Sequence, residues 1–184
     1  WNDRPATRNE LEDMKSVVRE SIEEGAFGLS TGLDYPPGAY ADTNELIELS
    51  KVAAKMGGFY HTHTRGSLKS QGMLAPWYEA LEIGRKSGIA VHLTHYRQGS
   101  QGVGSHLDYI GLVENARDDG MDVTFDCYPY IYSSTRATIE IPNWTMDGGP
   151  ERIFEALSNP DERALILSEM VKGPRDATAN SLTN

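Results

Sequence analysis

The most constraining feature of this chain is a plan that repeats. A helical pattern closes on glycine, a short apolar run follows, and the run gives way to a polar loop. The ends of these runs fall near Ser30, His63, His95 and Cys127, about 32 residues apart. Strands joined through a helix pair in parallel, because an antiparallel hairpin would need only a tight turn. In Phe59-Tyr-His-Thr-His-Thr-Arg65 the side chains of residues i and i+2 share a face, so His61 and His63 project together. Ile89-Ala-Val-His-Leu-Thr-His-Tyr-Arg97 has the same form: apolar strand, histidine, then a cation.

The intervening segments read as helices with defined ends. Thr7 and Glu10 form a capping box, and Leu11, Met14, Val18 and Ile22 place an apolar stripe before Gly25. Ala26-Phe-Gly-Leu-Ser-Thr31 suits a buried parallel strand, and Gly32-Leu-Asp-Tyr-Pro-Pro-Gly38 sets Tyr35 just beyond its end. Asp42 starts a helix that stops at Gly57-Gly58, a third helix spans about 74–86, and a fourth about 106–118. The fourth strand lies within Met121-Asp-Val-Thr-Phe-Asp-Cys-Tyr128. Residues 133–149 read as a long loop and two short helices follow, near 150–157 and 160–171. This alternation predicts an α/β fold with a parallel sheet. No glycine-rich phosphate fingerprint follows the first strand, which disfavours a dinucleotide-binding sheet. Four such units make half of a (β/α)8 barrel, whose strand C-termini carry the chemistry.

Composition narrows the partners. The 184 residues carry a formal net charge of -10, which argues against nucleic acid or an anionic membrane surface. One cysteine, Cys127, excludes an internal disulfide framework and fits a reducing, cytoplasmic setting. The opening Trp1-Asn-Asp-Arg-Pro5, without an initiator Met, and the polar tail from about 172 to 184 read as the limits of an excerpt. The whole of 1–184 is then a single partial barrel domain.

His63 and His95 are the candidate metal ligands, since neutral imidazoles at adjacent strand ends can share one ion. The alternative is a pair of hydrogen-bonded core histidines; equivalent positions in consecutive units, each followed two residues on by arginine, favour the metal. His61 lies one layer deeper. His92 has opposite parity to His95, so if His95 faces the barrel axis His92 is expected to face the helices. His106 reads as a surface residue or cap. Arg65 and Arg97 sit in the loop layer, where a guanidinium can clamp a carboxylate, or simply pair with a nearby acid. Tyr35 and Tyr128 follow the first and fourth strands and can donate to a substrate oxygen or pack at the rim. Asp126 is either an outer partner of the site or a buried structural acid, and Cys127 reads as a small core residue.

Together these stretches resemble a known family. Gly28-Leu-Ser-Thr-Gly-Leu-Asp-Tyr-Pro-Pro37, Tyr60-His-Thr-His-Thr-Arg65, Val91-His-Leu-Thr-His-Tyr-Arg97 and Asp126-Cys-Tyr-Pro-Tyr130 with Ser133-Ser-Thr135 are similar, in register, to the N-acyl-D-amino-acid deacylases (D-aminoacylases) of the amidohydrolase superfamily. The resemblance implies a zinc-dependent (β/α)8 barrel, with one or two divalent ions, that hydrolyses the amide of small N-acyl-D-amino acids. It implies that His63 and His95, ending the fifth and sixth barrel strands, are metal ligands. Tyr35, Tyr128 and Ser134 are implied to hold the substrate carboxylate and the scissile carbonyl, with Tyr128 the catalytic donor. Arg97 stands where a lysine is usual, keeping the charge for the α-carboxylate while changing reach, and His61 stands where a small residue is usual. The family's His-x-His on the first strand, its cysteine-type ligand and its general-base aspartate have no counterpart here. The chain therefore resembles strands four to seven, needs the remainder of the barrel for a complete site, and is expected to be inactive by itself. Two other readings compete: an amidohydrolase of cyclic amides (dihydroorotase or hydantoinase type), and a non-catalytic half-barrel with open strand edges.

Overall fold

The computed structural model describes residues 1–97, 105–130, 132 and 134–172. The loop expected at 98–104, Ser133, and the tail beyond 172 lie outside the described residues. Helix α1 (Arg8–Glu23) leads to strand β1 (Gly28–Gly32), then α2 (Thr43–Lys55), β2 (Phe59–His63), α3 (Ala75–Ser87), β3 (Ala90–Leu93), α4 (His106–Asp118) and β4 (Val123–Phe125). Two short 3-10 turns interrupt the long loop, at Ala137–Glu140 and Asn143–Met146, before α5 (Arg152–Ser158) and α6 (Pro160–Lys172).

The helix starts are made as the sequence predicts. Thr7 accepts from the Glu10 N–H while the Glu10 carboxylate accepts from the Thr7 N–H at 2.7 Å. Asp42 accepts from the Glu45 N–H at 2.8 Å, so one of the orphan donors of α2 is satisfied in the same way. For α4 the cap is Ser105, boxed with Asp108, and His106 is its exposed first residue. Gly88 ends α3 at φ +73°, a left-handed cap that only glycine adopts cheaply.

The sheet is parallel throughout, ordered β1-β2-β3-β4. Its two faces differ sharply. On one, Tyr60, Val91, Leu93 and Val123 are almost fully buried against Leu46, Ile47 and Ala53 of α2, Trp77, Ala80, Leu81 and Ile83 of α3, and Leu112, Val113 and Ala116 of α4. Gly84 lets α3 close on this face, because a Cβ there would collide with Val91 and Met121. The other face presents Ser30, His61, His63, His92 and Thr124, placed side by side by the register Ser30↔His61, His61↔His92 and His92↔Thr124. Apolar contact with the helices thus fixes which set of alternating residues must point away from them. That polar face is the inward side of the partial barrel.

Candidate metal and substrate site

The site is built at the C-terminal edge of this face. His63 is the last residue of β2, opposite Gly32 of β1. Its Nε2 lies 3.0 Å from Oδ2 of Asp34, whose other oxygen accepts from the Gly66 N–H at 2.6 Å. An ionised carboxylate only accepts, so His63 donates from Nε2 and turns its Nδ1 lone pair the other way. There it meets Nε2 of His95 at 2.8 Å, with the two ring centroids 4.6 Å apart and edge to face.

His95 reaches this position by breaking the strand's alternation. Strand β3 stops at Leu93. Asp126 then pairs with both sides of an excursion: its N–H donates to the Leu93 carbonyl and its carbonyl accepts from the Tyr96 N–H. Thr94 and His95 are the residues between, and His95 adopts φ +43°, the left-handed region a non-glycine residue rarely occupies. The Asp126 carboxylate holds the turn by accepting from the His95 N–H at 2.6 Å and from the Thr94 hydroxyl at 2.8 Å. Strain of this kind persists only where surrounding contacts enforce it, and it is enriched at functional sites. Burial, and then the neighbouring His63 ring, hold the His95 imidazole below its ordinary pKa. A neutral ring is the form that offers a lone pair to a metal.

This turn corrects the parity argument for His92. His92 does not face the helices; it pairs with His61 across β2 and β3, stacks on it at 5.3 Å, and shares the polar face. Extrapolating alternation to His95 fails because the strand ends two residues earlier.

Tyr35 stands beside the pair, its ring 5.1 Å from that of His63 and its hydroxyl 2.6 Å from Thr135 Oγ1. That contact ties the long loop to Tyr35 at Thr135, whose neighbour Ser134 is exposed. The exposed Arg97 lies over the Tyr128 ring at 4.6 Å, so these two predicted residues form a pair. Arg65 belongs elsewhere. It donates to the Ala39 and Ala41 carbonyls at 2.9 and 2.7 Å and pairs with the buried Glu79, an architectural role clamping the β1–α2 loop to α3. Asp126 is half exposed and acts as an outer partner through the His95 N–H, not as a buried acid. Cys127 is exposed, contrary to expectation, because β4 ends at Phe125 and leaves it in the loop. Asp34 is not marked by the sequence pattern; the available signal is an acid two residues past a strand end, beside a histidine-tipped strand.

Two imidazoles meet here, and one is anchored from behind by a carboxylate, as histidines that ligate zinc commonly are. The class defined is a parallel α/β partial barrel with a candidate metal site at its strand C-termini. No family model matches the chain. It is 35% identical over 133 residues to a D-aminoacylase of Alcaligenes xylosoxydans xylosoxydans, covering 72% of this chain and 27% of that protein. It also matches the structure of an N-acyl-D-glutamate deacylase from Bordetella bronchiseptica, complexed with zinc and a phosphonate mimic of the tetrahedral intermediate (TM-score 0.64, 34% identity, 70% of this chain and 27% of that one). A D-aminoacylase studied for the functional role of its binuclear metal centre, with one-metal activation and second-metal attenuation, matches at TM-score 0.62 and 32% identity over the same shares. Over this stretch the chain is homologous to the N-acyl-D-amino-acid deacylases, and it spans about a quarter of their length.

Proposed function

We propose that this chain forms part of a zinc-dependent hydrolase that removes the acyl group from N-acyl-D-amino acids. The carrying observation is the His63–His95 pair, two ring nitrogens from successive strand ends that meet at 2.8 Å, with Asp34 fixing the first ring. His63 Nδ1 and His95 Nε2 would hold the ion, and the relatives' chemistry supports zinc, as one ion or two. Bound zinc lowers the pKa of a water in its open position toward about 7 and polarises a carbonyl.

The remaining work falls to the chain's own groups. Asp34 keeps the His63 proton on Nε2. Arg97 offers parallel N–H donors to the substrate's α-carboxylate, and its position over the Tyr128 ring supports the two acting together. Tyr128 donates to the scissile carbonyl oxygen as negative charge builds there. Tyr35, braced by Thr135, and Ser134 complete the hold on the carboxylate. An exposed single cysteine agrees with a cytoplasmic setting. Two imidazoles fill half of a tetrahedral zinc shell. The other ligands and the general base therefore come from other parts of the barrel, and the chain alone binds zinc weakly at this pair and does not turn over.

The test compares N-acetyl-D-methionine with its L-isomer, on this chain and on the longest natural polypeptide that contains it. Hydrolysis of the D-isomer by the longer form, abolished in His95→Ala, is the expected result. Preference for hydantoins, or a longer form inactive with zinc supplied, would contradict the proposal.

A further inference from the structure

Below the His63–His95 pair, the same face carries a group of side chains that the hydrolase reading does not use. We infer that His61, His92 and Asp126 form a second transition-metal site, one layer deeper on the inward face. One donor atom from each lies within 4.8 Å of the others. The three come from adjacent strands: His61 from β2, His92 opposite it on β3, and Asp126 just past the end of β4.

The surroundings are arranged as outer partners of a metal site are. Ser30 Oγ lies 3.3 Å from His61 Nδ1, and Thr124 Oγ1 lies 2.8 Å from His92 Nδ1. Both hydroxyls occupy the δ nitrogens, so the ε nitrogens are the ones available to an ion. Nε2 of His92 already faces Asp126 Oδ2 at 3.0 Å. The carboxylate is itself held by the Thr94 hydroxyl and the His95 N–H.

A hydrogen-bonded structural cluster does not account for His61. Its hydrogen-bond partner among the described residues is Ser30, and no acid or carbonyl is bound to its other nitrogen. The ring nevertheless lies parallel to His92 at 10°, partly buried. With an ion present, the His92 proton moves to Nδ1 and donates to Thr124, and small rotations bring the donors to the roughly 3.3 Å separation of tetrahedral zinc. Two imidazoles and a carboxylate suit Zn2+ or a similar first-row divalent cation and disfavour Ca2+ and Mg2+. The site is formed by residues of this chain alone. It does not depend on deacylase activity.

The probe is Zn2+ alone, added to the 184-residue chain and to the double variant His63→Gln/His95→Gln, with ring 15N chemical shifts read at each histidine. One equivalent should displace the Nε2 resonances of His61 and His92 in both proteins. Adding His92→Gln to the double variant should weaken zinc binding beyond the about 100-fold that loss of an outer partner costs. Unmoved His61 and His92 resonances in the unsubstituted chain would overturn the inference, as would undiminished affinity after His92→Gln. The shift measurement needs no substitution, so misfolding of a variant does not decide it. Because hydrolysis is not read, failure here leaves the deacylase proposal standing, and the reverse.

Discussion

Replacing Asp34 by Asn separates the ligand geometry from the fold. Asp34 serves two donors at once, the His63 Nε2–H at 3.0 Å and the Gly66 N–H at 2.6 Å. An amide has one oxygen, so only one of these bonds can survive. Leaving the buried Gly66 N–H unpaired would cost about 1–3 kcal/mol. The side chain therefore keeps its oxygen on Gly66 and presents its NH2 to His63. That ring must then accept at Nε2, which moves its proton to Nδ1, the atom facing His95. A protonated Nδ1 cannot ligate. Asp34→Asn should thus destabilise the fold by only about 1 kcal/mol, one ordinary hydrogen bond. Zinc affinity at the His63–His95 pair should fall about 10- to 100-fold, the range for outer partners of ligating histidines. Asp34→Ala should cost more stability, about 1–3 kcal/mol, because Gly66 is left unpaired. Urea midpoints, zinc competition with a chelating dye on the longest natural polypeptide containing this chain, and the His63 ring 15N shifts separate these effects. Asp34→Asn with the wild-type tautomer and wild-type zinc affinity would refute the reasoning.

Other consequences are as specific. His95 has its pKa lowered in the fold, so between its ordinary value of 6.5 and the depressed one the unfolded chain binds a proton that the folded chain does not. Stability should be unaffected by this group above about pH 7, fall as pH drops through that window and level off below it; His95→Gln should remove the slope in urea midpoints. Arg65→Met strands the buried Glu79 carboxylate and two loop carbonyls, and should lower unfolding free energy by about 3–5 kcal/mol. Glu79→Gln, which keeps an acceptor for Arg65 and Thr43, should cost clearly less in the same assay. Gly84→Ala overpacks the α3–β3 contact and should destabilise by about 1–3 kcal/mol, read as a lower thermal midpoint.

Much of this was legible in the residues because it depends on local physics. Thr7 with Glu10, Asp42 with Glu45 and the glycines after each helix act over one turn of chain, and the boundaries they predict hold to within a residue or two. The parallel order of β1 to β4 follows from helices between short apolar runs. His63 and His95 stand out in the sequence because each ends a run of that type. What escaped depends on contacts between units. No period places Asp34 behind His63, since their meeting requires β1 and β2 to be in register Gly32↔His63. The side of the sheet that His92 faces was misjudged because Asp126, 31 residues beyond His95, draws the chain out of the strand before His95. Cys127 looked apolar enough for the core, but β4 is only three residues long and ends before reaching it.

The central claim is that His63 and His95 share a metal ion, and locating zinc tests it most directly. Crystals of the longest natural polypeptide containing this chain, grown with zinc, would be measured on both sides of the zinc absorption edge. The account predicts an anomalous peak bonded to both His63 Nδ1 and His95 Nε2, with Asp34 still on His63 Nε2. A map with zinc in the crystal, no peak between the rings, and the two imidazoles still hydrogen-bonded to each other would contradict it.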